Sequence, residues 1–236
     1  MARSVRSLAG LEAAMADTPL LTEIPRKAIR DLIDEGLVRD YRRGTYLFHQ
    51  GDPAPDVLFL WSGRVEISSV SATGHRQLLT TLEHPQFFGE LGVLGDMRRT
   101  ATAEALEEST VWAVTGESWL GFLAQHFPAT RSLLRALARQ IQSAESFVED
   151  LLFLDLKGRV AKRLLGLVSA SLEELPEDGV MLPSVVTHAD LASLSGGSRE
   201  NVTRILSELQ RRGIVDRAGR RYLLKNVKAL ARLAGL

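Results

Sequence analysis

The sequence predicts an α+β chain in three parts: an N-terminal β-roll, one long helix, and a C-terminal helix-turn-helix followed by a basic β-hairpin, or wing. Three observations predict it. From Leu37 to about Val114, short segments rich in Val, Leu, Phe and Thr are punctuated by Gly44, Gly51-Asp52, Ser62-Gly63 and Gly74, the rhythm of an antiparallel barrel or sandwich. From Phe127 to Leu154 glycine vanishes and the only proline is Pro128, at a helix start that tolerates it. From Thr187 onward, two capped amphipathic stretches flank the break Ser195-Gly196-Gly197, short enough to turn one helix across another. The boundaries read as 19–126, 127–154 and 155–236.

The bulk properties narrow the class. A chain of 236 residues has room for one large or two small domains. It contains no cysteine, which excludes a disulfide framework, a thiolate zinc site and a cysteine-ligated iron–sulfur cluster, and fits a reducing cytoplasm. No apolar run approaches the roughly 20 residues of a membrane span. Arg3 and Arg6 are followed by no long apolar core, so no secretory leader is read. The expectation is a cytoplasmic protein with no membrane partner. The 29 Lys/Arg balance 29 Asp/Glu, but unevenly along the chain. Thr187 to Leu236 holds ten Lys/Arg against four Asp/Glu, so the last part carries a positive surplus that the rest offsets.

Taken in order, Asp17 to Gly36 reads as helical, with Leu20-Leu21, Ile24-Pro25 and then Ile29, Leu32 and Ile33 at helical spacing. Trp61, Trp112 and Trp119 fall in or beside strand-like segments and read as core. In the long helix, Leu134, Leu137, Ile141, Ala144, Val148 and Leu151 recur at spacings of three and four, an a/d seam over about three heptads. A helix packed only on its own domain carries a broader apolar face; the narrow seam points to pairing with a second copy, hence a homodimer. Asp155 then reads as a hinge and N-cap, opening an amphipathic helix to about Leu172. Glu173 to Pro183 reads as a loop.

Thr187-His188-Ala189-Asp190 has the form of a capping box, opening a short helix with Leu191, Ala192 and Leu194 as its apolar face. Ser198 caps the next helix, Arg199 to Arg211, whose buried stripe is Val202, Ile205, Leu206 and Leu209. Arg199, Glu200 and Arg204 lie off that stripe near the helix N-terminus, where a recognition helix presents its base readers. Arginine can bind guanine O6 and N7 with both arms, and glutamate can accept from cytosine N4. The N–H groups and hydroxyl at Ser198 can hold a phosphate. Gly213 to Asp216 and Arg221 to Leu224 read as two strands around Ala218-Gly219, with Arg217, Arg220 and Arg221 supplying charge for a phosphate backbone. A solvated basic hairpin would explain the charge alone. The two capped helices, the tight turn and the hairpin together point to double-stranded DNA.

These residues carry a resemblance. Gly197-Ser198-Arg199-Glu200-Asn201-Val202-Thr203-Arg204-Ile205-Leu206 resembles the recognition helix of the cyclic-AMP receptor protein (CRP/FNR) family. Phe153-Leu154-Asp155 and Gly158-Arg159-Val160-Ala161 resemble that family's hinge and following helix. The likeness runs from about residue 19 to the end. It implies a transcription regulator that binds a palindromic TGTGA-like site as a homodimer and works with RNA polymerase. Its base-reading positions would be Arg199, Glu200 and Arg204, with Thr187, Ser198 and Asn201 beside them. Asn201 stands where the family more often has threonine.

The barrel shares the resemblance. Tyr46 to Asp52 and Leu60 to Val65 match the family's strands and turns. Phe88-Gly89-Glu90-Leu91-Gly92-Val93-Leu94, followed by Arg98-Arg99-Thr100-Ala101-Thr102, resembles the phosphate-binding cassette of a cyclic-nucleotide domain. The chemistry agrees. Gly89 lets backbone approach a ligand, a helix beginning at Glu90 aims N–H groups at an anion, and Arg99 and Thr100 are phosphate donors. Glu90 can accept from a ribose hydroxyl. Arg98 replaces a frequent proline. The implied ligand site is Gly89, Glu90, Leu91, Arg99 and Thr100, completed by Ala144 and Glu145 where the family has two adjacent hydroxyl residues that touch adenine. Those hydroxyls are absent here. Glu145 can pair with an adenine amino group or with guanine N1–H and N2–H, or serve only as a solvated flank. Ala144 also reads as a seam residue. Cyclic AMP is the first expectation and cyclic GMP the second; a barrel that has lost its nucleotide, or takes another ligand, is the alternative.

His49, His75, His84, His126 and His188 show no paired metal spacing. Haem-sensing members of that family use a His or Cys near the cassette, where only His75 and His84 stand. There is no Ser/His/Asp arrangement, P-loop or dinucleotide fingerprint, so no enzymatic activity is expected.

Overall fold

A computed structural model of the chain describes residues 8–70, 76–169 and 175–236. Gly74, His75 and the 170–174 stretch, where a helix end near Leu172 and a loop start at Glu173 were expected, lie outside the described residues. The chain divides into two units, Met1–Gln140 and Ile141–Leu236.

The first unit contains α1 (Leu8–Ala16), α2 (Arg26–Asp34), β1 (Leu37–Tyr41), β2 (Tyr46–Phe48), β3 (Asp56–Ser62), β4 (Arg64–Val70), β5 (Arg76–Glu83), β6 (Gln86–Phe88), α3 (Glu90–Leu94), β7 (Thr102–Ala105), β8 (Ser109–Thr115) and α4 (Gly116–Gln125). Helix α5 (Phe127–Phe153) begins here. The strands form two antiparallel four-stranded sheets, ordered β1-β8-β3-β6 and β2-β7-β4-β5. Strand β3 explains why Val57 to Leu60 is apolar without alternation: both its faces are covered. Val57 and Phe59 join the helix-side core with Trp112, Trp119, Ile29 and Leu32. Leu58 and Leu60 join the roll interior with Val65, Phe88 and Val111. Trp112 and Trp119 are fully buried and Trp61 partly so. Gly63 turns β3 into β4 at φ +91°, and a Cβ there would lie 2.3 Å from Ser109 Oγ.

The helix expected over Asp17–Gly36 is shorter. Asp17 to Ile24 forms turns and α2 starts only at Arg26, because Pro19 and Pro25 disfavour helical backbone just before them. Ile29, Leu32 and Ile33 are buried as read. Two helices of this unit carry no strong sequence signal. Helix α1 buries Leu11 and Met15 completely. Helix α4 is capped by Thr115, whose hydroxyl oxygen accepts from Ser118 N at 3.2 Å.

The second unit holds the rest of α5, α6 (Leu156–Gly166), β9 (Val180–Met181), α7 (His188–Ser195), α8 (Arg199–Arg211), β10 (Val215–Ala218), β11 (Arg221–Leu224) and α9 (Val227–Leu233). A three-helix core of α6, α7 and α8 is closed by α9 and by a three-stranded sheet ordered β10-β11-β9. Val180–Met181, expected in a loop, pairs with β11 because Gly179 at φ +85° turns the chain onto that edge. Helix α6 stops at Gly166, short of the expected Leu172, as Val168 and Ser169 fold back onto Leu165 O. On α7 the buried face is Leu191, Ala192 and Ser195; Leu194, expected inward, is exposed, because at about 100° per residue that face is centred between Leu191 and Ala192, about 100° around the helix from Leu194. Most of the α5 seam is uncovered: Leu134, Ile141, Ala144, Val148 and Leu151 are exposed, as are Leu152 and Phe153 beyond it, while Leu137 is half-buried against the core of its own unit. Among the described residues no helix is long and apolar enough to cross a membrane.

Candidate ligand site and nucleic-acid face

The cassette gathers around one buried guanidinium. Gly89, at φ +78°, ends β6 and opens α3. Arg99 is buried; its Nη1 donates to Gly89 O at 2.8 Å. Its Nη2 donates to the Asp56 carboxylate at the start of β3. The Phe48 ring lies 4.3 Å from its Cζ, a cation–π contact. The backbone holds it too: Arg99 N donates to Asp52 O at 2.9 Å, and Arg99 O accepts from Gly51 N at 2.8 Å. Burial pushes the Arg99 pKa down, and the Asp56 charge opposes that shift. Arg99 Nε is buried and has no acceptor among the described residues. A Cβ on Gly89 would lie 2.6 Å from Arg99 Nη1, so the approach requires glycine.

Glu90 is half-buried, and burial raises its carboxyl pKa against the lowering pull of its own backbone N–H and of Arg99. It lines a cavity of about 570 Å³ together with Phe87, Trp119, Leu133 and Arg139. Leu91 is half-buried and Thr100 exposed beside Arg99. Arg99 and Gly89 are in direct contact, whereas Glu90 lines its cavity without Gly89, Leu91, Arg99 or Thr100. Ala144 and Glu145 are exposed on the second unit's stretch of α5. Sequence reasoning missed Asp56 and Phe48. The signal for Asp56 was an acid opening an apolar strand, a position that needs a cationic partner. An orphaned buried N–H, a glycine cradle and a helix start suit a cyclic phosphodiester, with Glu90 as a hydroxyl acceptor.

The nucleic-acid face forms on the second unit. Thr187 Oγ1 accepts from Asp190 N at 3.1 Å and the Asp190 carboxylate from Thr187 N at 2.8 Å, a complete capping box. Gly196 at φ +63° turns α7 into α8. Ser198 caps α8 by accepting from Asn201 N at 3.2 Å. Arg199, Glu200 and Arg204 are exposed on the first turns. Glu200 is held below the usual carboxylate range by its own backbone N–H and by Ser198. Half-buried Asn201 accepts from Arg204 Nη2, so these two side chains present one joint surface. Arg217 and Arg220 of the β10–β11 hairpin line a notch of about 500 Å³ with Thr187, His188, Ala189 and Arg199, three guanidinium groups around one concavity.

The residues read as a hinge are tied down. Asp155 Oδ1 accepts from Gly158 N at 2.7 Å as the α6 N-cap. Asp150, buried near the end of α5, pairs with Lys162 and, at 3.1 Å, with Arg163. Arg159 donates to Ser195 O at 2.7 Å and to Leu154 O at 2.9 Å.

Comparison with known proteins matches a domain to each of these two regions of the chain. The cyclic nucleotide-binding domain matches residues 38–126 and the Crp-like helix-turn-helix domain residues 158–233. The chain is 30% identical over 177 residues to the cyclic AMP receptor protein of Thermus thermophilus, across 75% of this chain and 78% of that protein. It is 29% identical over 225 residues to a CRP-like cAMP-activated global transcriptional regulator of Mycobacterium tuberculosis, across 95% and 100%. The crystal structure of Thermus thermophilus catabolite activator protein matches at a TM-score of 0.55 and 27% identity, covering 92% of this chain and 99% of that one. A cyclic nucleotide-binding roll joined to a Crp-like helix-turn-helix places this chain in the CRP/FNR family of DNA-binding transcription regulators.

Proposed function

We propose that the chain acts in the cytoplasm as a homodimer whose affinity for a palindromic, TGTGA-like DNA site is set by a cyclic nucleotide, cyclic AMP first and cyclic GMP second, and that the bound dimer works with RNA polymerase. The observation that carries the ligand reading is the buried Arg99, with an orphaned Nε, beside a glycine cradle. The bound nucleotide would supply an anionic phosphodiester and a ribose hydroxyl. Arg99, Thr100 and the N–H groups at the start of α3 would hold the first, and Glu90 would accept from the second. Engaging Arg99 redirects donors now spent on Gly89 O and Asp56, so occupancy acts on β3 and the β6–α3 turn. A ligand shifts the DNA-binding equilibrium only by its different affinity for the two states. The uncovered α5 seam supports the dimer, which would set two recognition helices about 34 Å apart, one DNA turn.

A second reading is a regulator that needs no nucleotide or senses another ligand. Two observations favour it: Arg99 is already engaged by Asp56 and Gly89, and no hydroxyl stands at Ala144 or Glu145. Calorimetric titration with cyclic AMP and cyclic GMP separates the two. Micromolar or tighter binding of one, lost in Arg99→Ala, supports nucleotide control. No heat from either, with DNA affinity unchanged in Arg99→Ala, supports the second reading.

A further inference from the structure

We propose that His188 is a positioning residue of the DNA-binding face: as the neutral imidazole protonated on Nδ1, it fastens the recognition helix and the hairpin to the start of α7. The proposal rests on the reading of that face as the DNA contact. It follows from donor and acceptor accounting. The Thr203 hydroxyl donates to Arg199 O at 2.8 Å, so its oxygen is left to accept. Arg217 Nη2, which can only donate, lies 3.4 Å from His188 Nε2, which favours a lone pair there and the N–H on Nδ1, 2.7 Å from the Thr203 oxygen. A neutral ring has one N–H, so Nε2 is a lone pair, and the Tyr222 hydroxyl at 2.7 Å donates to it. Arg217 Nη2 then donates to the Tyr222 oxygen at 3.0 Å. The relay runs Arg217, Tyr222, His188, Thr203, Arg199 carbonyl, with Arg217 Nη2 shared between the Tyr222 oxygen and His188 Nε2. It joins α7, α8 and the hairpin, which are separated by up to 34 residues.

The charged surroundings favour the neutral ring. Arg199 on α8 and Arg217 on the hairpin both act on His188, and Arg220 lines the same notch. The nearby Asp190 carboxylate on α7 is turned to Thr187 N. Burial and the two arginines push the His188 pKa below the ordinary histidine value. A second proton would put an N–H where Tyr222 now donates, and a positive charge 3.4 Å from Arg217 Nη2. The relay would open, and Arg217 would lose its fixed direction toward a phosphate seated with Arg199 and Arg220. DNA affinity should then fall as His188 protonates.

The test compares the full chain with His188→Gln, which keeps an N–H and a carbonyl but does not titrate, and His188→Leu, which keeps neither. Affinity is read by fluorescence anisotropy on a duplex with inverted TGTGA half-sites and on a scrambled duplex, with and without cyclic AMP, at about pH 7.5 and about pH 5.5. Relative to His188→Gln, the wild type should lose about fivefold or more at the acid pH. His188→Leu should bind about tenfold more weakly at both. Nitrogen NMR of the ring at neutral pH should show the Nδ1–H tautomer, a readout that needs neither DNA nor a folded Leu variant. Superimposable pH profiles, a wild type that gains more than His188→Gln in acid, or an Nε2–H tautomer would each overturn the proposal. No salt-sensitive binding to either duplex would overturn the DNA reading, and this inference with it.

Discussion

Placing one acid in the α5 seam should split the dimer without unfolding the chain. Leu134, Ile141, Val148 and Leu151 are 59%, 61%, 53% and 45% exposed. Full burial of such a side chain is worth roughly 1.5–3 kcal/mol, so covering the exposed half returns about 1 kcal/mol each. Four residues on each of two helices give on the order of 8 kcal/mol, against an association cost of about 4–15 kcal/mol. The seam, extended by Leu152 and Phe153, is therefore near balance. Ile141→Glu removes about 2 kcal/mol across the pair. In a two-fold interface it also brings each acid toward its own copy, adding several kcal/mol of repulsion. The total, on the order of 5 kcal/mol, weakens association by about 10³-fold or more. Sedimentation velocity at micromolar concentration should show the wild type at twice 26.0 kDa and Ile141→Glu at 26.0 kDa, with unchanged circular dichroism. Ser143→Glu, also exposed but outside the seam, should remain dimeric. A monomeric wild type, or an Ile141→Glu variant that stays dimeric, would refute the seam as the interface.

Gly89→Ala puts an L side chain at φ +78° and a Cβ 2.6 Å from Arg99 Nη1; a loss of about 1–2 kcal/mol is expected from the backbone alone, seen as a lower melting midpoint, with any cyclic-nucleotide stabilisation lost as well. Glu90→Gln tests the half-buried carboxyl. Its folded pKa is raised, so the folded state takes up a proton before the unfolded chain does. The ionised group costs stability at neutral pH, and that cost fades as pH falls through the raised value. Glu90→Gln should thus melt higher at neutral pH, with the gap closing in acid; a gap that is flat across pH would contradict the assignment. Asp150→Asn leaves Lys162 and Arg163 without their shared anion. Breaking a buried pair costs about 3–5 kcal/mol, but both cations keep part of their hydration, so about 2 kcal/mol is expected, read in urea melts. A change within error would mean that the pair contributes nothing net.

What could be read from the chain follows the range of each interaction. Glycine turns at Gly44, Gly51 and Gly63, all at positive φ, and the caps at Thr187 and Ser198 are local events, decided within four residues. Periodicity likewise marked the α8 stripe, because Val202, Leu206 and Leu209 all face one core. Weak amphipathicity hid α1, whose alanines look the same on every side although Leu11 and Met15 are buried. What stayed invisible were the pairings that close over long separations. Arg99 reads as a free phosphate fork, yet it meets Asp56 at a separation of 43 residues. Asp155 reads as a hinge and N-cap, and it does cap α6, yet nearby Asp150 binds Arg163 across 13 residues and Arg159 binds Ser195 O across 36. In both places the sequence shows a charge whose partner only folding supplies. The partner changes the chemistry: a ligand at Arg99 competes for the Nη1 and Nη2 donors already in use, and Asp150 ties the end of α5 to α6 beside Asp155.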